Sequence, residues 1–156
     1  MHSQLSTRHY VKIRSMRFIR LILVLGGLFN LSMGTIFFTN PFLRNFLSAA
    51  TRFEKTFFGR EVVLSFPKDP VHQLLIHGFG AGALILGGTL LYSARDPRRF
   101  LPFIFLDAIG RLLYGVMMIC YVLEYSLLWT ILIFGIIEMS FSLTYIYSSW
   151  YLNRTI

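Results

Sequence analysis

Four apolar stretches, each long enough to cross a lipid bilayer, leave this chain few folds to choose from. They cover residues 18–39 ("FIRLILVLGGLFNLSMGTIFFT"), 71–92 ("VHQLLIHGFGAGALILGGTLLY"), 100–123 and 127–149. A helix needs about 20 apolar residues to span the hydrocarbon layer. Inside that layer only helices and closed barrels satisfy their backbone polar groups. Barrel strands alternate polar and apolar over about ten residues, and these stretches do not. The reading is an all-α integral membrane protein, a four-helix transmembrane bundle formed by residues 18–156 as one domain. A basic tail, residues 1–17, precedes it.

Composition agrees with this class. Only 14% of the 156 residues are charged, against about 25% in soluble domains. The net charge of +8 is explained by membrane orientation, and no nucleic-acid partner is expected. Arg8, Lys12, Arg14, Arg17 and Arg20 lie at the start of the chain, Arg95, Arg98 and Arg99 between spans two and three, and Arg154 near the end. With four spans these three regions share one side, and an excess of Lys and Arg marks the cytoplasmic side. Opposite them, the loop of about residues 40–70 mixes five basic residues with Glu54, Glu61 and Asp69, and the turn 124–126 carries only Glu124. Both termini are therefore expected in the cytoplasm, with the chain in a bacterial inner membrane. An organelle inner membrane is the alternative, because no acid precedes Glu54.

The loop after the first span is partly helical in this reading. Phe42, Phe46, Phe53 and Phe57 recur at spacings of four and seven, which aligns them on one helical face. The segment is either an amphipathic helix lying on the outer membrane surface or a helix packed over the bundle. Span two is rich in small residues. Gly78 with Gly82, and Ala83 with Gly87, form small-xxx-small pairs that let helix backbones approach closely, within the bundle or in a homodimer. The string "GFGAGA" at 78–83 also fits a dinucleotide-binding pattern. That fingerprint needs a strand before it and a helix start in water, so here it carries no meaning.

Polar residues inside the spans are the candidates for function. Asp107 and Arg111, four apart, share a helix face and can pair. Glu138 lies near the middle of span four, Asn30 near the middle of span one, and His77 on span two. Each unpaired charge costs roughly 2.5–3.5 kcal/mol at the centre of a membrane helix. Asp107, Arg111 and Glu138 must therefore pair, take up protons or meet water. The five residues are expected to converge as a buried polar cluster, either a ligand or proton site or a structural lock on helix order.

Other chemistries find no support. His72 and His77 are five apart on one helix, Cys120 is the sole cysteine, and no His, Cys and carboxylate cluster has metal-ligand spacing. No serine sits in a nucleophile motif. Neither a catalytic residue, a metal nor a cofactor is expected.

Five short features form a familiar pattern: the passage from Gly34 to Pro41 that closes the first span, the glycine-rich second span, the basic link "SARDPRR", the string "GRLLYG", and the lone acid Glu138 in the last span. Over about residues 26–145 the chain resembles small four-span bacterial membrane proteins grouped loosely as DoxX-like. The resemblance implies the four-span fold, and some members of that group are linked to redox or quinone-associated membrane complexes. The expected function is a non-catalytic accessory or a bundle that binds a small ligand or lipid. Its expected partners are the bilayer and a membrane protein or second copy. The alternative is a proton-coupled carrier or a subunit of a quinone-linked complex.

Overall fold

A computed structural model describes residues 2–62, 64 and 66–154. Five helices follow in order: α1 (His2–Phe38), α2 (Asn40–Phe58), α3 (Pro70–Ser93), α4 (Leu101–Tyr125) and α5 (Trp129–Arg154). Four are long and apolar enough to cross a membrane, over Met16–Phe38, Pro70–Ser93, Leu101–Tyr125 and Trp129–Leu152. The described residues thus form an all-α bundle of four membrane-length helices with one further helix between the first two.

Local chemistry sets the breaks. The helix of the first span starts at His2 and runs without interruption to Phe38. Thr39 is extended there, and Pro41 enters the first turn of α2, where its missing N–H goes unused. The first span, expected to run to residue 39, therefore ends one residue earlier, at Phe38. Gly59, with φ of 64°, closes α2 in the left-handed conformation that glycine adopts most readily. Asp69 caps α3 by accepting the backbone N–H of His72 at 3.0 Å. The last turn lies at residues 126–128 rather than 124–126, because Ser126 at φ 50° ends α4.

The bundle is built from two tightly packed helix pairs, α1 with α3 and α4 with α5, and contacts between the pairs are sparse. Glycine backbones make both pairings. A Cβ on Gly87 would lie 2.8 Å from the Gly27 carbonyl oxygen, and one on Gly80 would lie 2.5 Å from the Phe38 nitrogen. In the second pair, a Cβ on Gly115 would lie 2.9 Å from the Gly135 carbonyl oxygen. No side chain fits at such separations, and close approach is the main attraction available between helices in lipid. Of the four packing residues read from the sequence, Gly87 lies in this contact. Gly78 and Gly82 face open space instead, and Ala83 lines a cavity. The stripe that packs is 80–87, offset from the expected 78–82 pair, because seven residues bring the helix back to the same face.

The two pairs join firmly at one end only. Near the α3–α4 link, Ile19, Leu23, Leu90, Ile104, Ala108, Tyr145 and Leu152 form a closed core contributed by all four spans. At the opposite end, α2 lies across the gap. Its buried residues are Leu43, Ala50 and Glu54, which share a face by their spacings of seven and four. The phenylalanines divide. Phe46 packs on Phe37 and Phe134, whereas Phe42 and Phe57 are exposed. Of the two readings, the helix packed over the bundle describes the buried face, which is rotated from the phenylalanine face.

Candidate functional site

The centre of the site is Arg111. It occupies the middle of α4, on a face shared with Asp107 one turn earlier, and α5 is drawn close by the Gly115–Gly135 contact. Its Nε donates to Asp107 Oδ2 at 2.8 Å, and its Nη1 donates to Glu138 Oε2 at 2.5 Å. The side chains of Arg111 and Asp107 are 5% and 4% exposed. The guanidinium also lies over the rings of Phe141 and Tyr145, at 5.4 and 5.6 Å from their centroids, where a cation is attracted to the aromatic face. Tyr145 is held in turn by donating to the Ile22 carbonyl at 3.4 Å. Ser142 donates to the Ala108 carbonyl at 2.6 Å, a further tie between α4 and α5. The guanidinium is thus fixed on two edges and one face. Its remaining nitrogen, Nη2, is buried without a hydrogen-bond partner.

The structure brings together Asp107, Arg111 and Glu138. Asn30, on α1, is 7% exposed and joins Glu138 in the walls of two adjoining cavities. His77 stands apart, a correction to the expected five-residue cluster. Its Nε2 lies 2.9 Å from Asn40 Oδ1 at the start of α2, so it braces α3 against the α1–α2 break. The reason is the helix face. His77, two turns into α3, lies on the side of Gly80, which packs against Phe37 and Phe38, whereas Phe79, Gly82 and Ala83 line the cavities.

The first cavity lies between the helix pairs beneath α2 and has a volume of about 570 Å³. Its walls are apolar, with Phe29, Met33, Phe46, Met118 and Phe134 prominent, and Asn30, Tyr114 and Glu138 supply polar groups. The second, of about 410 Å³, lies in the seam between α3 and α4 and includes Gly82, Gly110, Asp107 and Arg111. Phe79 and Tyr114, whose ring centroids are 5.6 Å apart, bridge α3 to α4 and line both spaces. Small-molecule sites typically occupy about 300–1,000 Å³, with mostly apolar walls and few polar groups.

The sequence did not single out the polar clamp that holds α2 over the first cavity. Glu54 is fully buried. Its Oε1 accepts the Thr130 backbone N–H at 2.6 Å and the Thr130 hydroxyl at 2.7 Å. A carboxylate here also faces the positive end of the α5 dipole. Arg60 donates to the carbonyls of Ser126 and Leu127 at 2.7 and 2.8 Å. Only the i, i+4, i+7, i+11 placement of Leu43, Leu47, Ala50 and Glu54 hinted that this acid faces inward.

Among the described residues, no three His, Cys, Asp or Glu side chains come together in a way that could hold a metal ion. No protein-family model, curated protein or solved structure matches the chain.

Proposed function

We propose that this protein is a membrane-embedded binding module without catalytic activity, which holds a small lipid-soluble molecule between its two helix pairs. The observation that carries the proposal is the apolar cavity of about 570 Å³ that ends on Asn30, Tyr114 and Glu138. Helix packing in a membrane normally closes such gaps, and the same bundle does close them at its other end. In this reading the triad anchors the floor of the cavity. The proposal includes a bacterial inner membrane location with both termini cytoplasmic, as the basic residues favour, and a DoxX-like affiliation.

The test uses protein in phosphatidylcholine nanodiscs and a diazirine-bearing hexadecanol as photoprobe. Labelling is expected to concentrate on cavity residues such as Phe29, Met118 and Phe134. Ile131→Phe, which narrows the cavity, should weaken it roughly tenfold. Labelling spread over the lipid-facing surfaces and indifferent to Ile131→Phe would rule the module out.

A second reading, a proton-coupled carrier, draws on one observation: Glu138 lines both cavities. It requires substrate-dependent proton movement in liposomes that disappears in Glu138→Gln.

A further inference from the structure

The second cavity asks for a more specific occupant. It lies in the seam between α3 and α4, which are not a packed pair. Its rim includes Leu86 and Leu106, 41% and 67% exposed on membrane-length helices, so the seam opens sideways to lipid. The opening exists because two glycines face it. A Cβ added at Gly82 or Gly110 would meet nothing within 4 Å. At the back of the seam stands Arg111, whose Nη2 is buried and without a hydrogen-bond partner. A buried donor left unsatisfied costs about 1–3 kcal/mol, and more when charged, so an acceptor that reached it would be held.

Resting on the binding reading above, we propose that this seam receives the carbonyl oxygen of an uncharged lipid-soluble molecule, with Arg111 Nη2 as donor and the alkyl part in the larger cavity. Charge selects the head. An anionic head would have to enter beside the carboxyl groups of Asp107 and Glu138, which already occupy Nε and Nη1 of Arg111. A cationic head has no lone pair to offer Nη2. Depth selects the molecule. Arg111 is the eleventh residue of a 25-residue helix, roughly 15 Å from its start and roughly 21 Å from its end at 1.5 Å per residue. A phospholipid, tethered at the surface by its head, does not carry its ester carbonyls to that depth. A neutral molecule free to sink to the bilayer mid-plane does.

The experiment is displacement of the diazirine photoprobe in the same nanodiscs by methyl oleate, by oleate and by octadecene, which share an alkyl chain and differ in the head. Methyl oleate should compete roughly tenfold better than either of the others. Gly110→Leu, which fills the seam where space is open, should abolish that preference and leave the melting temperature in detergent unchanged. Equal competition by all three, or a preference that survives in the Gly82→Leu, Gly110→Leu double variant, overturns the carbonyl site. In that case the labelling of Phe29 and Met118 stands and the cavity reading survives. Absence of cavity labelling overturns the reading on which this inference rests.

Discussion

Arg111 shows how a charge persists among apolar side chains. Removing one partner from a buried ion pair costs about 3–5 kcal/mol, whereas replacing the whole group with apolar residues is often neutral or stabilising. Arg111→Met leaves Asp107 and Glu138 facing each other, and should lower the melting temperature in mild detergent by an amount matching that range. The triple replacement of Asp107, Arg111 and Glu138 by apolar residues of similar size should recover most of it. If the well-folded triple variant also keeps full probe binding, the triad acts as a lock and not as part of a site. At the surface, Asp69 gives a pH dependence. The His72 backbone N–H and the His72 ring, 2.5 Å away, hold its carboxyl below the usual 3.8. The folded state thus favours the ionised form. Its contribution is present above about 3.8 and is lost as the pH falls through the lowered value. Amide exchange in the first turn of α3 should accelerate on acidification below that point, and Asp69→Asn should remove the dependence.

At the scale of the elements, α2 and the glycine seams decide the architecture. Glu54→Ala leaves the Thr130 N–H and hydroxyl buried without an acceptor, at a cost of about 1–3 kcal/mol. Hydrogen exchange should rise together in α2 and at residues 129–131, while exchange around Arg111 stays slow. Gly87→Leu forces a side chain into the Gly27 backbone and should destabilise by about 1–3 kcal/mol. Gly88→Leu, one residue on, meets open space and should change the melting temperature little. The four spans and the Asp107–Arg111 pair were legible in the sequence because length, composition and the i, i+4 rule are local. The choice between Gly78 or Gly82 and Gly80 or Gly87 was not local. It depends on which face of α3 meets α1, and a helix with small residues all round does not announce that face. The phenylalanines of α2 misled for a related reason. In a membrane a large apolar side chain gains as much from lipid as from protein, so burial no longer follows hydrophobicity.

At the scale of the molecule, the bundle is two helix pairs closed at one end and hollow at the other. The triad was legible as a group of charges in need of partners, but the cavities beside it were not. An empty space leaves no residue in the sequence, and only the gap between pairs reveals it. The link at residues 94–100 joins the two pairs. A chain divided there should still assemble when both fragments are expressed together, because each fragment carries one complete pair. Co-purification of the fragments, weakened by replacing Tyr145 with Ala, would measure the shared core. The pairing also sets an order of events during synthesis. Helix α5 meets its partner after a turn of three residues, whereas α1 must remain in the bilayer, glycine face uncovered, while α2 and the loop beyond it are made. For that interval the face that α3 will cover stays open, and the membrane or an insertion factor has to keep it from pairing with the wrong neighbour.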